Sequence, residues 1–97
     1  MIYSPLPSIF TIEIGGKPTL TFQAKNLREA QQLCHEAWLK DDLTGETSGG
    51  VPLWDGNAKL RVRIALESEA IAFAEAEKAT KPSDGLLLVY IVDIDPS

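Results

Sequence analysis

The sequence predicts a single α+β domain, and three stretches carry that expectation. From Ile9 to Ala24, two short runs alternate apolar and polar residues on either side of a glycine pair, the pattern of a β-hairpin. From Asn26 to Asp41, apolar residues recur at helical spacing. Leu86 to Ile94, LLLVYIVDI, is apolar on both faces until Asp93, as in a strand at the centre of a sheet. A chain of 97 residues can build one core without disulfide or metal support.

In chain order, Met1 to Ser8 reads as an extended leader, because Pro5 and Pro7 each push the preceding residue out of the helical region. Ile9–Ile14 sets Phe10, Ile12 and Ile14 against Ile9, Thr11 and Glu13. After the turn residues Gly15-Gly16-Lys17-Pro18, Thr19–Ala24 sets Leu20, Phe22 and Ala24 against Thr19, Thr21 and Gln23. In NLREAQQLCHEAWLKD, Leu27, Ala30, Leu33, Cys34, Ala37 and Trp38 fall within an arc of about 140°, a core-facing stripe. Asn26 is placed to cap this helix, with Glu29 at the capping-box position. Leu39 falls on its polar side.

Residues 42–59 read as a long loop. DLTGETSGG has no periodicity, while Leu53 and Trp54, before the turn pair Asp55-Gly56, are expected to pin the loop's end to the body. Leu60–Leu66 is a third strand with Leu60, Val62 and Ile64 inward. Glu67–Ala79 is rich in Ala and Glu, with Ser68 as a candidate N-cap, and reads as a second helix. A strand in which Ile71 and Phe73 alternate with alanines competes over its middle, since in a helix those two lie roughly 160° apart. Lys81–Gly85 is a loop leading to the last strand.

The element order over residues 1–97 is therefore β-β-α-β-α-β. Right-handed crossovers put both helices on one face of a four-stranded mixed sheet. With the last strand central, the expected strand order is 2-1-4-3. In element order alone, this arrangement resembles the ubiquitin-like β-grasp, a resemblance that implies a fold and no function.

The apolar content of 44% is ordinary, and the formal charge of −5 disfavours nonspecific attraction to nucleic acid or an anionic membrane. The opening MIYSPLPSIF has no basic n-region, so a cytoplasmic location is expected. Cys34 is the only cysteine, which rules out an intrachain disulfide. Cys34 and His35 are the obvious nucleophile and base, but adjacent helical residues project about 100° apart and do not share a face. Asp93 and Asp95 share a strand face and could hold Mg²⁺ or Ca²⁺, the basis of an alternative reading as a small metal-dependent hydrolase assisted by His35. The competing reading is that these charges simply end an apolar strand. The glycine-containing stretch Thr44–Gly50 follows a helix and lacks Gly-Lys-Ser/Thr, so it is no phosphate loop. No cofactor is expected.

Arg61 and Arg63 share a strand face and can contact phosphates, the basis of a nucleic-acid alternative that the net charge disfavours. They can equally pair with Glu13 or the terminal aspartates. If both helices cover the Phe10 face, the other face stays open. It then carries Ile9, Thr11, Thr19, Thr21, Arg61, Arg63 and Ala65 beside an apolar strip of Leu87, Val89 and Ile91. A polar-rimmed apolar strip marks an interaction surface, unless residues 1–8 or 42–59 fold over it. Trp54 is a separate candidate anchor. The expected function is a non-catalytic protein-interaction or self-association module, with a protein partner or a second copy as its ligand and no membrane partner.

Overall fold

Strands β1 (Ser8–Ile14) and β2 (Lys17–Ala24) form the expected hairpin in a computed structural model that describes residues 8–80 and 87–95. Gly15 and Gly16 turn the chain at φ of 59° and 85°, the left-handed backbone that a two-residue hairpin turn needs at both positions. Phe10 and Phe22 face each other across the pair with ring centroids 6.2 Å apart. The whole apolar phase, Phe10, Ile12, Ile14, Leu20, Phe22 and Ala24, is buried.

After the hairpin come α1 (Leu27–Leu33), α2 (Ala37–Gly45) and the short strands β3 (Thr47–Ser48) and β4 (Val51–Pro52). They are followed by β5 (Leu60–Ile64), α3 (Glu67–Ala79) and β6 (Val89–Tyr90). The α+β class and the order of the main elements are those expected. The sheet differs from expectation: it is antiparallel in every pairing, not mixed, and its order is β5-β1-β2-β6. The last strand lies at an edge beside β2, not at the centre, so the β-grasp resemblance stops at element order. Its run is apolar on both faces because both are partly covered at that edge. Leu88 and Tyr90 pack on the core, and α3 adjoins the other side.

The helices do not share a face either. α1 and α2 cover the Phe10 face, where Ala30, Leu33, Cys34, Leu39 and Leu43 complete the core. α3 lies on the threonine face, and Thr11 and Thr21 beneath it are 0% exposed. Each of the buried hydroxyls has a partner: Thr11 donates to Glu69 at 2.9 Å, Thr19 to the Lys17 carbonyl at 2.9 Å and Thr21 to the Val89 carbonyl at 3.3 Å. Glu69 and Phe73 are buried in α3 with Ala72 and Ala76 half-buried beside them, so the inward stripe follows the i, i+3, i+4, i+7 rule while Ile71 points outward. The alanines on that stripe let the helix approach a surface of short threonine side chains. Its first turn is held by the Glu69 carboxylate accepting the Leu66 N–H at 2.8 Å, not by Ser68.

The single helix expected over 26–41 is two. Asn26 caps α1 as expected, its side chain accepting the Glu29 N–H at 2.9 Å. The chain then closes with three successive i→i−3 bonds, from Cys34, His35 and Glu36 to Gln31, Gln32 and Leu33. Glu36 is extended at ψ 128° before α2 starts. This break resets the helical phase: Leu39 becomes 0% exposed, and Trp38, expected inside, is 43% exposed. The loop expected over 42–59 is structured at its start, where α2 runs on to Gly45 and β3–β4 make a hairpin turned by Gly49 and Gly50. Leu53 and Trp54 pin its end to the core as expected. Of the expected leader 1–8, Ser8 belongs to β1 and the rest lies outside the described residues, as does the loop 81–85.

Candidate interaction surface

The surface expected to be open is occupied. With α3 on the threonine face, Ile9, Leu87, Val89 and Ile91 are half-buried around that helix and form no exposed strip. Trp54 sits with the core of the opposite face, so the seven expected interaction residues are not brought together.

Arg63 is half-buried and held by two carboxylates. Its Nε donates to Glu13 at 2.9 Å, and its two terminal nitrogens donate to the two Glu69 oxygens at 2.8 and 2.9 Å. Glu69 also accepts the Thr11 hydroxyl and the Leu66 N–H, so one buried carboxylate joins two strands to the start of α3. The Arg63 guanidinium, aided by the Leu66 N–H and the Thr11 hydroxyl, outweighs burial and holds the Glu69 carboxyl at about 2. The same two carboxylates raise the Arg63 guanidinium further above its usual value. The sequence reading of Arg63 against Glu13 is therefore realised, and only Arg61 of the arginine pair stands exposed.

Arg61 leads to a different surface, the outer edge of β5. Gly15 N–H bonds the Lys59 carbonyl and Ala65 N–H bonds the Ile9 carbonyl, both at 2.9 Å, which sets the phase of the ladder with β1. In an antiparallel pair, alternate residues turn their backbone groups to the same neighbour. Residues 59, 61, 63 and 65 therefore face β1, and Leu60, Val62 and Ile64 turn their N–H and C=O groups to an edge with no partner strand among the described residues, where the Ile64 carbonyl accepts from the Arg63 guanidinium at 3.2 Å.

Along that edge runs an open groove of about 740 Å³. Gln31, Cys34, His35 and Lys40 form its helix wall, Trp54 and Ala58 one end, and the chain from Lys59 to Val62 its strand wall. Trp54 is fixed there by its indole N–H on the Ala58 carbonyl at 2.7 Å, and the Lys40 ammonium lies 5.9 Å from its ring centroid. Among the described residues Lys40, Lys59 and Arg61 line the groove and no carboxylate does, in a chain of net charge −5. On the other flank of α1 a smaller groove of about 310 Å³ carries Glu29 and Glu36 and no cation. The helix thus separates surfaces of opposite sign.

The sequence reading missed Lys40, Lys59 and His35 as neighbours. His35 and Lys40 are well separated from Lys59 in the chain and share a groove with it because α2 and the β3–β4 hairpin return the chain to β5. Lys59, Arg61 and Arg63 at two-residue spacing were the available signal: a cationic row on one face of a strand.

The arrangement is suited to binding. Cys34 belongs to the core, and burial pushes its thiol up despite the nearby Lys40 charge, which keeps it from being a ready nucleophile. Asp95 accepts from the Thr47 hydroxyl and from the N–H groups of Gly49 and Gly50 at 2.9, 2.9 and 2.7 Å. These bonds, those of Gly50 and Gly49 foremost, hold its carboxyl below the usual carboxylate range and commit both oxygens to the β3–β4 turn. Asp93 is exposed. Among the described residues no group of three His, Cys, Asp or Glu side chains is placed to share a metal ion, and no helix is long and apolar enough to cross a membrane. Compared with family models, curated proteins and solved structures, the chain has no significant match to any of them.

Proposed function

We propose that the protein is a non-catalytic interaction module that receives an extended segment of a protein partner as an added strand on β5. The observation that carries this reading is the edge of β5, where Leu60 and Val62 have no partner strand among the described residues, opening onto a groove walled by α1 and α2. Strand addition of this kind draws its affinity from main-chain hydrogen bonds and its selectivity from pockets for alternate side chains. An edge strand left without charge on its inward phase, without proline and without a bulge is one that invites pairing. β5 has no proline, its pairing with β1 is regular, and its Leu60, Val62 and Ile64 phase is apolar.

Ile64→Pro tests the reading. The side chain is 67% exposed and its N–H points away from β1, so the substitution leaves the internal ladder intact while removing an edge donor. Peptides selected from a random library on the wild-type protein are expected to lose binding to this variant. Peptides that bind both forms equally would place recognition elsewhere on the molecule.

A further inference from the structure

We infer that the segment added to β5 alternates acidic with apolar residues. The inference rests on the strand-addition reading and names the chemistry of its partner. Side chains of paired strands lie on the same face where residues stand directly opposite. Leu60 and Val62 pack toward the core beside Cys34 and Trp54, so partner residues opposite them enter the groove beside apolar walls. Lys59 and Arg61 share the pleat of Arg63 and stand on the rim. Partner residues opposite these two cations carry carboxylates.

Two features make the charge preference specific to this edge. Arg63, the third cation of the row, is already neutralised by Glu13 and Glu69, whereas Lys59 and Arg61 form no salt bridge among the described residues. The groove lining also holds no carboxylate, among the described residues, to oppose those two charges. A basic segment would meet uncompensated repulsion from Lys59 and Arg61, which excludes the wrong partner as well as favouring the right one. A nucleic-acid strand would match the cations but leave the β5 backbone groups unpaired, which is why a peptide fits this surface better.

The probe is an acetylated, amidated octapeptide alternating Asp and Val, titrated into ¹⁵N-labelled full-length protein. Comparison peptides replace every Asp by Ser or by Lys, or carry N-methyl groups on the edge-facing residues. The acidic peptide is expected to shift the Leu60 and Val62 amides and slow their hydrogen exchange. The serine peptide should bind roughly tenfold more weakly, from the loss of two exposed ion pairs, and the lysine peptide should not bind. Arg61→Gln with Lys59→Gln should erase the difference between the acidic and serine peptides. If the serine peptide binds as tightly as the acidic one with the same amide protection, strand addition stands and the acidic assignment falls. If the N-methylated acidic peptide binds as well as the parent, the contact is electrostatic alone and the strand-addition reading falls. Tighter binding of a single-stranded oligothymidylate than of the acidic peptide would overturn the peptide assignment, and no shift with any peptide would overturn both.

Discussion

Glu69→Ala is expected to destabilise the protein by roughly 3 kcal/mol at neutral pH, because it strips the acceptor from the buried Thr11 hydroxyl and from the partly buried Arg63 and Leu66 donors. The substitution leaves the Thr11 hydroxyl without a partner under α3, frees the Leu66 N–H at the start of the helix and halves the pairing of Arg63. Its effect should depend on pH with a defined sign. The carboxyl falls from its ordinary 4.5 to about 2 in the folded protein, so the native state holds that proton less tightly than the unfolded chain does. The stabilisation is complete above about pH 4.5 and is lost as pH falls toward about 2. Urea unfolding of wild type and variant at pH 7 and pH 3 should show the gap between them narrowing by on the order of 1–2 kcal/mol. An unchanged gap would mean that Glu69 acts by packing alone.

The second large effect concerns Leu39. Leu39→Ala is expected to cost about 3 kcal/mol, as for a leucine removed from a close-packed interior, while Trp38→Ala costs less than half as much. The two residues are adjacent, and the ranking is set by the break between α1 and α2. An unbroken helix over 26–41 puts Trp38 in the core and Leu39 on the polar side and reverses the ranking. Thermal or chemical unfolding of the two variants therefore reads out the helix phase directly.

That break also shows where sequence reading stops. The hairpin, the Asn26 cap and the helical character of 67–79 were legible because each rests on local period or local hydrogen bonding. The interruption at Cys34–Glu36 was not, because no glycine or proline marks it. Its result is that Leu39 and Leu43 are buried while Ala37 and Trp38 are exposed. The placement of α3 was hidden for a related reason. Its buried side carries Glu69, which pattern reading assigns to solvent, and the residue that makes this burial tolerable, Arg63, lies on another element. Strand order was similarly non-local: a run apolar on both faces shows that both are covered, and an edge flanked by helices meets that condition as well as a central position does. For the candidate surface, Arg61 and Trp54 were found by residue type, while the groove they share exists only after the intervening chain has folded back.

The order β5-β1-β2-β6 also has a consequence for how the chain assembles. Its centre is the pair closest in sequence, joined by two glycines, and its edges are joined across long intervals, 50 residues between Glu13 and Arg63 and 68 between Thr21 and Val89. Closing a short loop sacrifices less chain entropy than closing a long one, so the hairpin forms first and the outer strands attach to a template already made. In native-state hydrogen exchange, the amides of Ile12 and Leu20 should then be among the slowest, and those of Arg61 and Arg63 should open at lower free energy. The strand that would greet a partner is thus among the last pieces to join the fold and the first to leave it, and a bound segment would act as its missing neighbour, tightening the margin of the sheet from outside.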